Sequence, residues 1–204
     1  MKDNQPVRFL ALAAISLIVS GCSVLEPKAN LTEFYVLRGQ PKEIGSAATN
    51  MGGSEIRIGP GRIAAYLQNG QIAVQAGPNR LVYLENDRWA EPLSKGVGRV
   101  LAEDLAHTVD TATFSVYPDP PLTDLGHEVR YTVESFEGSL GGAVVLAVTW
   151  QVVERPSSKV IAGKRSVYTV PAKKGSDTVT SYVERMSTAL GEWSDDIAAA
   201  IQSP

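Results

Sequence analysis

Short apolar stretches recur along the chain from residue 33 onward, and glycine, proline and polar residues separate them. Residues 55–63 and 128–136 alternate apolar with polar side chains, which predicts strands with one buried face. Gly59-Pro60-Gly61 interrupts the first of them and indicates a bulge or an edge position. Residues 71–76 and 80–85 flank Gly77-Pro78-Asn79 and predict a hairpin. Further strands are predicted at residues 33–37, 111–117, 143–153 and 159–170.

The strand predicted at residues 143–153 is apolar on both of its faces. One face consists of Val144, Leu146, Val148 and Trp150, and the other of Ala143, Val145 and Ala147. This pattern is typical of a strand at the centre of a sheet that is covered on both sides. Trp150 is therefore expected to be deeply buried.

Two segments have the three- and four-residue spacing of amphipathic helices. The first is residues 89–109, with apolar positions at Leu93, Val97, Val100, Leu101, Leu105 and Val109. The second is residues 177–201, capped by Ser176 or Asp177, with apolar positions at Val179, Tyr182, Val183, Met186, Leu190, Trp193, Ile197 and Ile201. The opposite face of the second helix is charged and includes Arg185. These patterns predict an α+β fold: a single domain in which two principal amphipathic helices pack on a largely antiparallel β-sheet.

The N-terminus has the order of charges, apolar run and small residues of a secretion signal. Lys2 and Arg8 precede the apolar residues 9–19, and Val19-Ser20-Gly21 supplies small residues before Cys22. Cys22 is the single cysteine of the sequence, and Val-Ser-Gly-Cys resembles the lipobox of bacterial lipoproteins. We expect a signal peptide at residues 1–21, a lipidated Cys22 and tether at residues 22–31, and a periplasmic α+β domain at residues 32–204. The alternative is an ordinary soluble secreted protein with one cysteine.

Charge argues against a nucleic-acid partner. Without the two basic residues and one acidic residue of the signal, 17 basic and 21 acidic residues remain, a net charge of −4. The sequence contains no basic run or arginine stripe. Residues 23–30 read as the tether, and eight residues reach about 26–29 Å at most, so the domain is expected to lie close to the membrane.

No catalytic or metal-binding constellation is apparent in the sequence. The two histidines, His107 and His127, lack a partner at the spacing of a metal site, and we interpret each as a surface or boundary residue. No G-x-S-x-G elbow occurs. The glycine-rich residues 52–54 and 138–142 lack the lysine of a phosphate-binding loop, and the second stretch is expected to connect two strands. We expect no enzyme activity and no cofactor apart from the covalent lipid on Cys22.

A resemblance to a known family is carried by residues 34–105. The segment Arg88-Trp89-Ala90-Glu91-Pro92-Leu93, followed by Val100-Leu101-Ala102-Glu103, closely resembles the PqiC/YmbA family of auxiliary lipoproteins. Phe34-Tyr35-Val36-Leu37 looks like the aromatic opening strand of this family, and Ile58-Gly59-Pro60-Gly61 looks like its second block. In the Arg88, Trp89, Glu91 and Pro92 motif, we favour a structural role over partner contact, with Trp89 filling the core and Arg88 pairing with Glu91.

The resemblance implies a non-enzymatic subunit of an MCE-type intermembrane phospholipid transport system that contributes to membrane integrity. The implied partner is a periplasm-spanning MCE-domain protein, and a ring-shaped partner would favour a ring of lipoprotein copies. Ser23, next to the lipid cysteine, implies outer-membrane sorting, with acyl chains such as palmitate as the anchor. Candidate partner-binding residues lie in two glycine-bearing loops, namely Met51, Gly52, Gly53 and Gly59, Pro60, Gly61. The alternative function is a periplasmic carrier of lipid or small ligands with its own apolar cavity beneath the sheet.

Overall fold

The computed structural model describes residues 31–40, 54–109 and 113–202. Residues from Thr32 onward form one compact unit. Its elements, in chain order, are β1 (Glu33–Tyr35), β2 (Glu55–Ile63), a short 3-10 helix (Ala65–Gln68), β3 (Gln71–Gly77), β4 (Arg80–Trp89), α1 (Leu93–Thr108), β5 (Thr113–Val116), β6 (Gly126–Gly138), β7 (Val144–Arg155), β8 (Val160–Val170) and α2 (Val179–Gln202). The α+β class is confirmed. None of the helices in these ranges is long and apolar enough to cross a membrane.

The strands form two sheets, and both are mixed. The smaller sheet has the order β1-β4-β3, and the larger one has the order β5-β2-β6-β7-β8. β1 is parallel to β4, and β2 is parallel to both β5 and β6. The remaining pairs, β3-β4, β6-β7 and β7-β8, are antiparallel. The prediction of a largely antiparallel sheet was therefore only partly right. Turn residues in the sequence indicate pairing between strands that follow each other directly. The chain between β2 and β5 instead passes through the 3-10 helix, the β3–β4 hairpin and α1, and a connection of this length permits parallel pairing.

Both helices contribute to one core against the larger sheet. The apolar positions predicted for α1 are all buried, as are those of α2 from Tyr182 onward. β7 lies inside the larger sheet between β6 and β8, but β6 is the middle strand of the five, so the prediction of a central strand was only partly right. Trp150 is only 3% exposed, which confirms its predicted burial. The prediction that β7 is covered on both faces was wrong in part, because Thr149 on its outer face is exposed.

The N-terminal ends of both helices differ from the prediction, and local backbone chemistry explains each difference. Trp89 is the last residue of β4, and α1 begins at Leu93 behind Pro92. A residue that precedes a proline disfavours the helical conformation, so the helix cannot extend back through Glu91. At α2, the amide of Ser181 donates to the hydroxyl of Thr178 at 3.2 Å, so Thr178 caps this helix rather than Ser176 or Asp177.

Arg185 was assigned to the charged, solvated face of α2, and this was wrong. Its side chain is buried, with 6% of the residue exposed. The guanidinium donates to the carbonyl oxygens of Ser176 and Leu140. Arg185 thus ties the β6–β7 connection to the loop that precedes α2.

Candidate partner-binding cleft

Gly59-Pro60-Gly61, one of the two segments expected to be a partner-binding loop, lies within strand β2 and not in a loop. The register between β2 and β6 shifts between Ile58 and Gly61, which confirms the predicted bulge. Gly59 has a φ of +100°, a conformation that glycine adopts far more readily than other residues. A Cβ atom at Gly59 would also lie only 2.9 Å from the Cβ of Tyr117. The local backbone therefore requires glycine for both conformation and space.

The aromatic ring of Tyr131 lies directly against Gly61. A side chain at Gly61 would overlap this ring. On its other side, Tyr131 makes an edge-to-face contact with Trp193 of α2, with 5.1 Å between the ring centroids. Burial raises the pKa of the Tyr131 phenol, so the ring is neutral at physiological pH. Glycine at position 61 thus lets an aromatic side chain of the core reach the surface of the bulge.

An open cleft of about 530 Å³ lies between this bulge, α1 and the segment that follows β5. Ile58, Val116 and Tyr131 form apolar parts of its wall. Gly98 of α1 belongs to the same wall, and a Cβ there would lie 3.0 Å from Val116. Glycine at this position of α1 therefore permits close approach of a neighbouring side chain. The remaining lining residues are Gly59, Gly61, Glu91, Ser94, Lys95, Arg99, Tyr117, Pro118 and Asp119.

An ion-pair network stiffens the α1 side of the cleft. The Arg99 guanidinium contacts Glu91 at 2.6 Å and Glu103 at 2.7 Å. It also donates to the carbonyl oxygen of Leu37 at 2.8 Å, which joins α1 to the segment after β1. Burial alone lowers the pKa of Arg99, but the two carboxylates outweigh it and raise the pKa. The sequence-based pairing of Arg88 with Glu91 is wrong, since Glu91 binds Arg99 and Arg88 is exposed on β4.

The remaining residues of the family motif have structural contacts. Trp89 is 9% exposed, and its amide donates to the carbonyl oxygen of Gly70 at 2.8 Å. The carbonyl oxygen of Pro92 accepts hydrogen bonds from the amides of Lys95 and Gly96 in the first turn of α1. These contacts support the interpretation that Trp89 fills the core where the β3–β4 hairpin meets α1. Glu91 combines a structural ion pair with a place in the cleft.

A buried carboxylate holds the proline-rich segment that leaves the cleft. Glu55 is fully buried and pairs with Arg155 at 2.6 Å. It also accepts hydrogen bonds from the Ser115 hydroxyl and from the amides of Leu122 and Thr123. Burial by itself raises the pKa of Glu55, but these hydrogen bonds outweigh it and lower the pKa to about 2. The segment between Tyr117 and Leu125 is thereby attached to β2.

Other residues considered from sequence do not join this cleft. His107 is exposed on the last turn of α1, and His127 is half-buried in β6, where burial lowers its pKa. Within residues 31–40, 54–109 and 113–202, no group of histidine, aspartate or glutamate side chains could hold a metal ion. Cys22 and Met51, Gly52 and Gly53 lie outside the described residues. Their assignments stay predictions.

Sequence reasoning missed the residues that organise the cleft. Arg99 could have been noticed from its spacing of four residues to Glu103, which is favourable on a helix. Tyr131 was predicted only as one of the alternating apolar positions within residues 128–136. The contacts of Glu55 with Ser115 and Arg155 join residues 60 and 100 positions away, and no local pattern signals them.

Solved structures share the fold at low identity. The structure of an uncharacterised protein superposes with a TM-score of 0.64 at 19% identity, over 84% of this chain and 99% of that one. A protein of Xanthomonas campestris superposes with a TM-score of 0.64 at 14% identity, over 82% and 93% of the two chains. At such identities the likeness shows the fold alone.

Sequence comparison identifies the family. Proteins named intermembrane transport lipoprotein PqiC, from Escherichia coli (strain K12) and from Shigella flexneri, are each 22% identical over 193 residues, which is 92% of this chain and of theirs. Residues 35–198 match the family described as the ABC-type transport auxiliary lipoprotein component. The match includes β2, α1, the larger sheet and most of α2, and it confirms the resemblance seen in residues 34–105. The chain belongs to the family of ABC-type transport auxiliary lipoprotein components.

Proposed function

We propose that this chain is a non-enzymatic subunit of an intermembrane phospholipid transport system, anchored in the outer membrane through a lipid on Cys22. Its domain faces the periplasm and docks an MCE-domain protein of the same system, and several copies assemble as a ring on that partner. The system contributes to the integrity of the cell envelope. The observation that carries the proposal is the family match over residues 35–198.

The cleft beside Gly59-Pro60-Gly61 is the proposed docking site. A glycine bulge, an α1 wall stiffened by Arg99 and a proline-rich segment held by Glu55 give it a shape that varies little. A pre-organised surface binds a partner at a lower cost in conformational entropy. Tyr117, which is 55% exposed, and Lys95 supply aromatic and charged groups at its rim.

The alternative is a carrier with an apolar cavity beneath the sheet, and it is disfavoured because large buried side chains occupy that space. Trp193, Tyr182 and Phe136 are each at most 1% exposed between the larger sheet and the helices. Such large side chains leave little room for an acyl chain. A purified protein that carries co-extracted phospholipid in stoichiometric amount would revive the carrier hypothesis.

Cys22→Ala is expected to abolish anchoring. Without the thiol, no diacylglyceryl group can be attached, and the lipoprotein peptidase should not remove residues 1–21. The unprocessed chain should then remain in the inner membrane or be lost. Membrane fractionation with mass spectrometry measures both effects, and Ser23→Ala, which keeps the cysteine, is the matched control. A Cys22→Ala protein found in the outer-membrane fraction at the mass of the wild-type mature chain would refute the anchor.

Changing the rim of the cleft is expected to weaken partner binding without unfolding the domain. The double variant Lys95→Glu with Tyr117→Ala removes an aromatic contact and reverses a charge at exposed positions. Because truncating a binding hot spot costs at least about 2 kcal/mol, affinity for the periplasmic region of the MCE partner should fall more than about tenfold. Light scattering and titration of the mature lipoprotein with that region measure the loss.

Lys159→Glu provides the control for charge, since Lys159 is also exposed but lies at the β7–β8 turn. Its affinity and thermal midpoint should match the wild type. Equal affinities of the rim variant and the wild type would exclude the cleft as the docking site. A lipoprotein that remains a monomer and ignores the partner at tens of micromolar would contradict the proposed function as a whole.

A further inference from the structure

The smaller sheet has one face turned away from the core. Ile72 and Val74 of β3 are buried in the core. Because successive side chains of a strand alternate between faces, Gln71, Ala73 and Gln75 belong to the opposite face. That opposite face is the outer face of the β1-β4-β3 sheet.

The register places three large apolar side chains on this outer face. Gln71 pairs with Arg88, which in turn pairs with Phe34 of β1. Further along, Ala73 pairs with Tyr83 and Gln75 with Leu81. The side chains that share the outer face are therefore those of Phe34, Tyr83 and Leu81, together with the guanidinium of Arg88.

These three apolar side chains are exposed, and so is Val82 (44%) on the core-facing side of β4, whereas Ala73 on the outer face is buried. Phe34 is 65% exposed, Tyr83 is 37% exposed and Leu81 is 36% exposed. From Gln71 to Gln75 the strand rises about 13 Å, so the group extends over a surface rather than a single point. Contiguous exposed apolar side chains on a folded domain indicate a surface that contacts something else.

The chain that precedes β1 indicates what this face contacts. Ten residues separate Cys22 from Glu33, where β1 begins, and ten residues reach about 33–36 Å at most. Any lipid on Cys22 thus keeps the N-terminal strand, and the sheet to which it is paired, close to the membrane surface. Aromatic side chains next to an arginine suit this environment, because the rings enter the interface while the guanidinium reaches the lipid phosphates.

We propose that the outer face of the β1-β4-β3 sheet, through Phe34, Tyr83 and Leu81, rests on the lipid surface to which the chain is anchored. This inference rests on the lipid attachment proposed for Cys22. It adds an orientation to the anchor: the smaller sheet lies against the headgroups instead of rotating freely on the tether.

The test measures the depth of single positions in the lipidated full-length chain. Phe34→Cys and Leu81→Cys each introduce the one free thiol of the mature protein, since the only native cysteine is acylated. Each is labelled with the fluorophore NBD and reconstituted into vesicles of phosphatidylethanolamine and phosphatidylglycerol that contain doxyl-labelled lipid. Val167→Cys is the matched control, because Val167 is 51% exposed on β8 of the other sheet.

We expect doxyl quenching of roughly twofold and a blue-shifted emission at both Phe34 and Leu81, with neither change at Val167. Quenching at Phe34 alone would mean that the tether holds only the first strand near the membrane, and it would overturn the proposal. No quenching at either position, or equal quenching at Val167, would overturn it as well. Mass spectrometry of the same samples reports acylation of Cys22, so failure of the anchor is seen separately from failure of the orientation.

Discussion

Trp150→Ala is expected to lower the thermal midpoint of unfolding by about 10 °C. Trp150 is 3% exposed in the interior strand β7, and its indole N–H donates to the Ser166 hydroxyl at 3.1 Å. Truncation of a buried aromatic side chain to alanine costs about 3–5 kcal/mol, out of a total stability of about 5–15 kcal/mol. For a domain of this size, each kcal/mol shifts the midpoint by about 2–4 °C.

The matched control for this prediction is Val167→Ala on the neighbouring strand β8. Val167 is 51% exposed, and substitutions at such positions usually change stability by less than about 0.5 kcal/mol. Thermal unfolding followed by circular dichroism compares the two variants with the wild type. A shift of only one or two degrees for Trp150→Ala would contradict the burial of this side chain in the core.

Glu55→Ala is the second substitution with a large expected effect. Removing the Glu55 carboxylate leaves the Arg155 guanidinium without its ion-pair partner, and the Arg155 side chain is only 13% exposed. Breaking a buried ion pair by removing one partner costs about 3–5 kcal/mol. In contrast, Glu134→Ala, which breaks the exposed pair with Arg165, should change stability much less, because solvent screens an exposed ion pair. Urea unfolding at neutral pH measures both, and equal effects would contradict the structural role of Glu55.

The same carboxylate predicts a dependence of stability on pH. Its pKa is lowered in the folded protein to about 2, from an ordinary value of 4.5. The stabilisation is therefore complete above pH 4.5 and is lost as the pH falls from there toward about 2. The shift corresponds to about 3 kcal/mol. The difference in unfolding free energy between wild type and Glu55→Gln should shrink as the pH is lowered through this range, and a constant difference would exclude Glu55 as its source.

Local patterns were sufficient for the elements and for the helix cores. The spacing of Leu93, Val97 and Leu101 predicted the buried face of α1, because side chains three and four residues apart share a helix face. The alternation of apolar and polar residues likewise predicted the buried face of β6. Val129 and Val133 are buried there, and the charged side chains lie on the other face. The hairpin around residues 77–79 followed from turn residues between two β-favouring runs. In each case the decisive interaction joins neighbours in sequence.

The sequence by itself also determined the family and the expected anchor, since both depend on residues read in order. Only the tertiary structure showed that β2 pairs in parallel with β5 and β6. It also showed that Glu91 pairs with Arg99 and not with Arg88, and that Glu55 is buried against Arg155. It also decided that Phe34, Tyr83 and Leu81 share one face, because shifts of register between β3 and β4 change the alternation on which a sequence-based assignment relies. The physical reason is common to all of these. They depend on contacts between segments that are distant in sequence, and no short-range periodicity records such contacts.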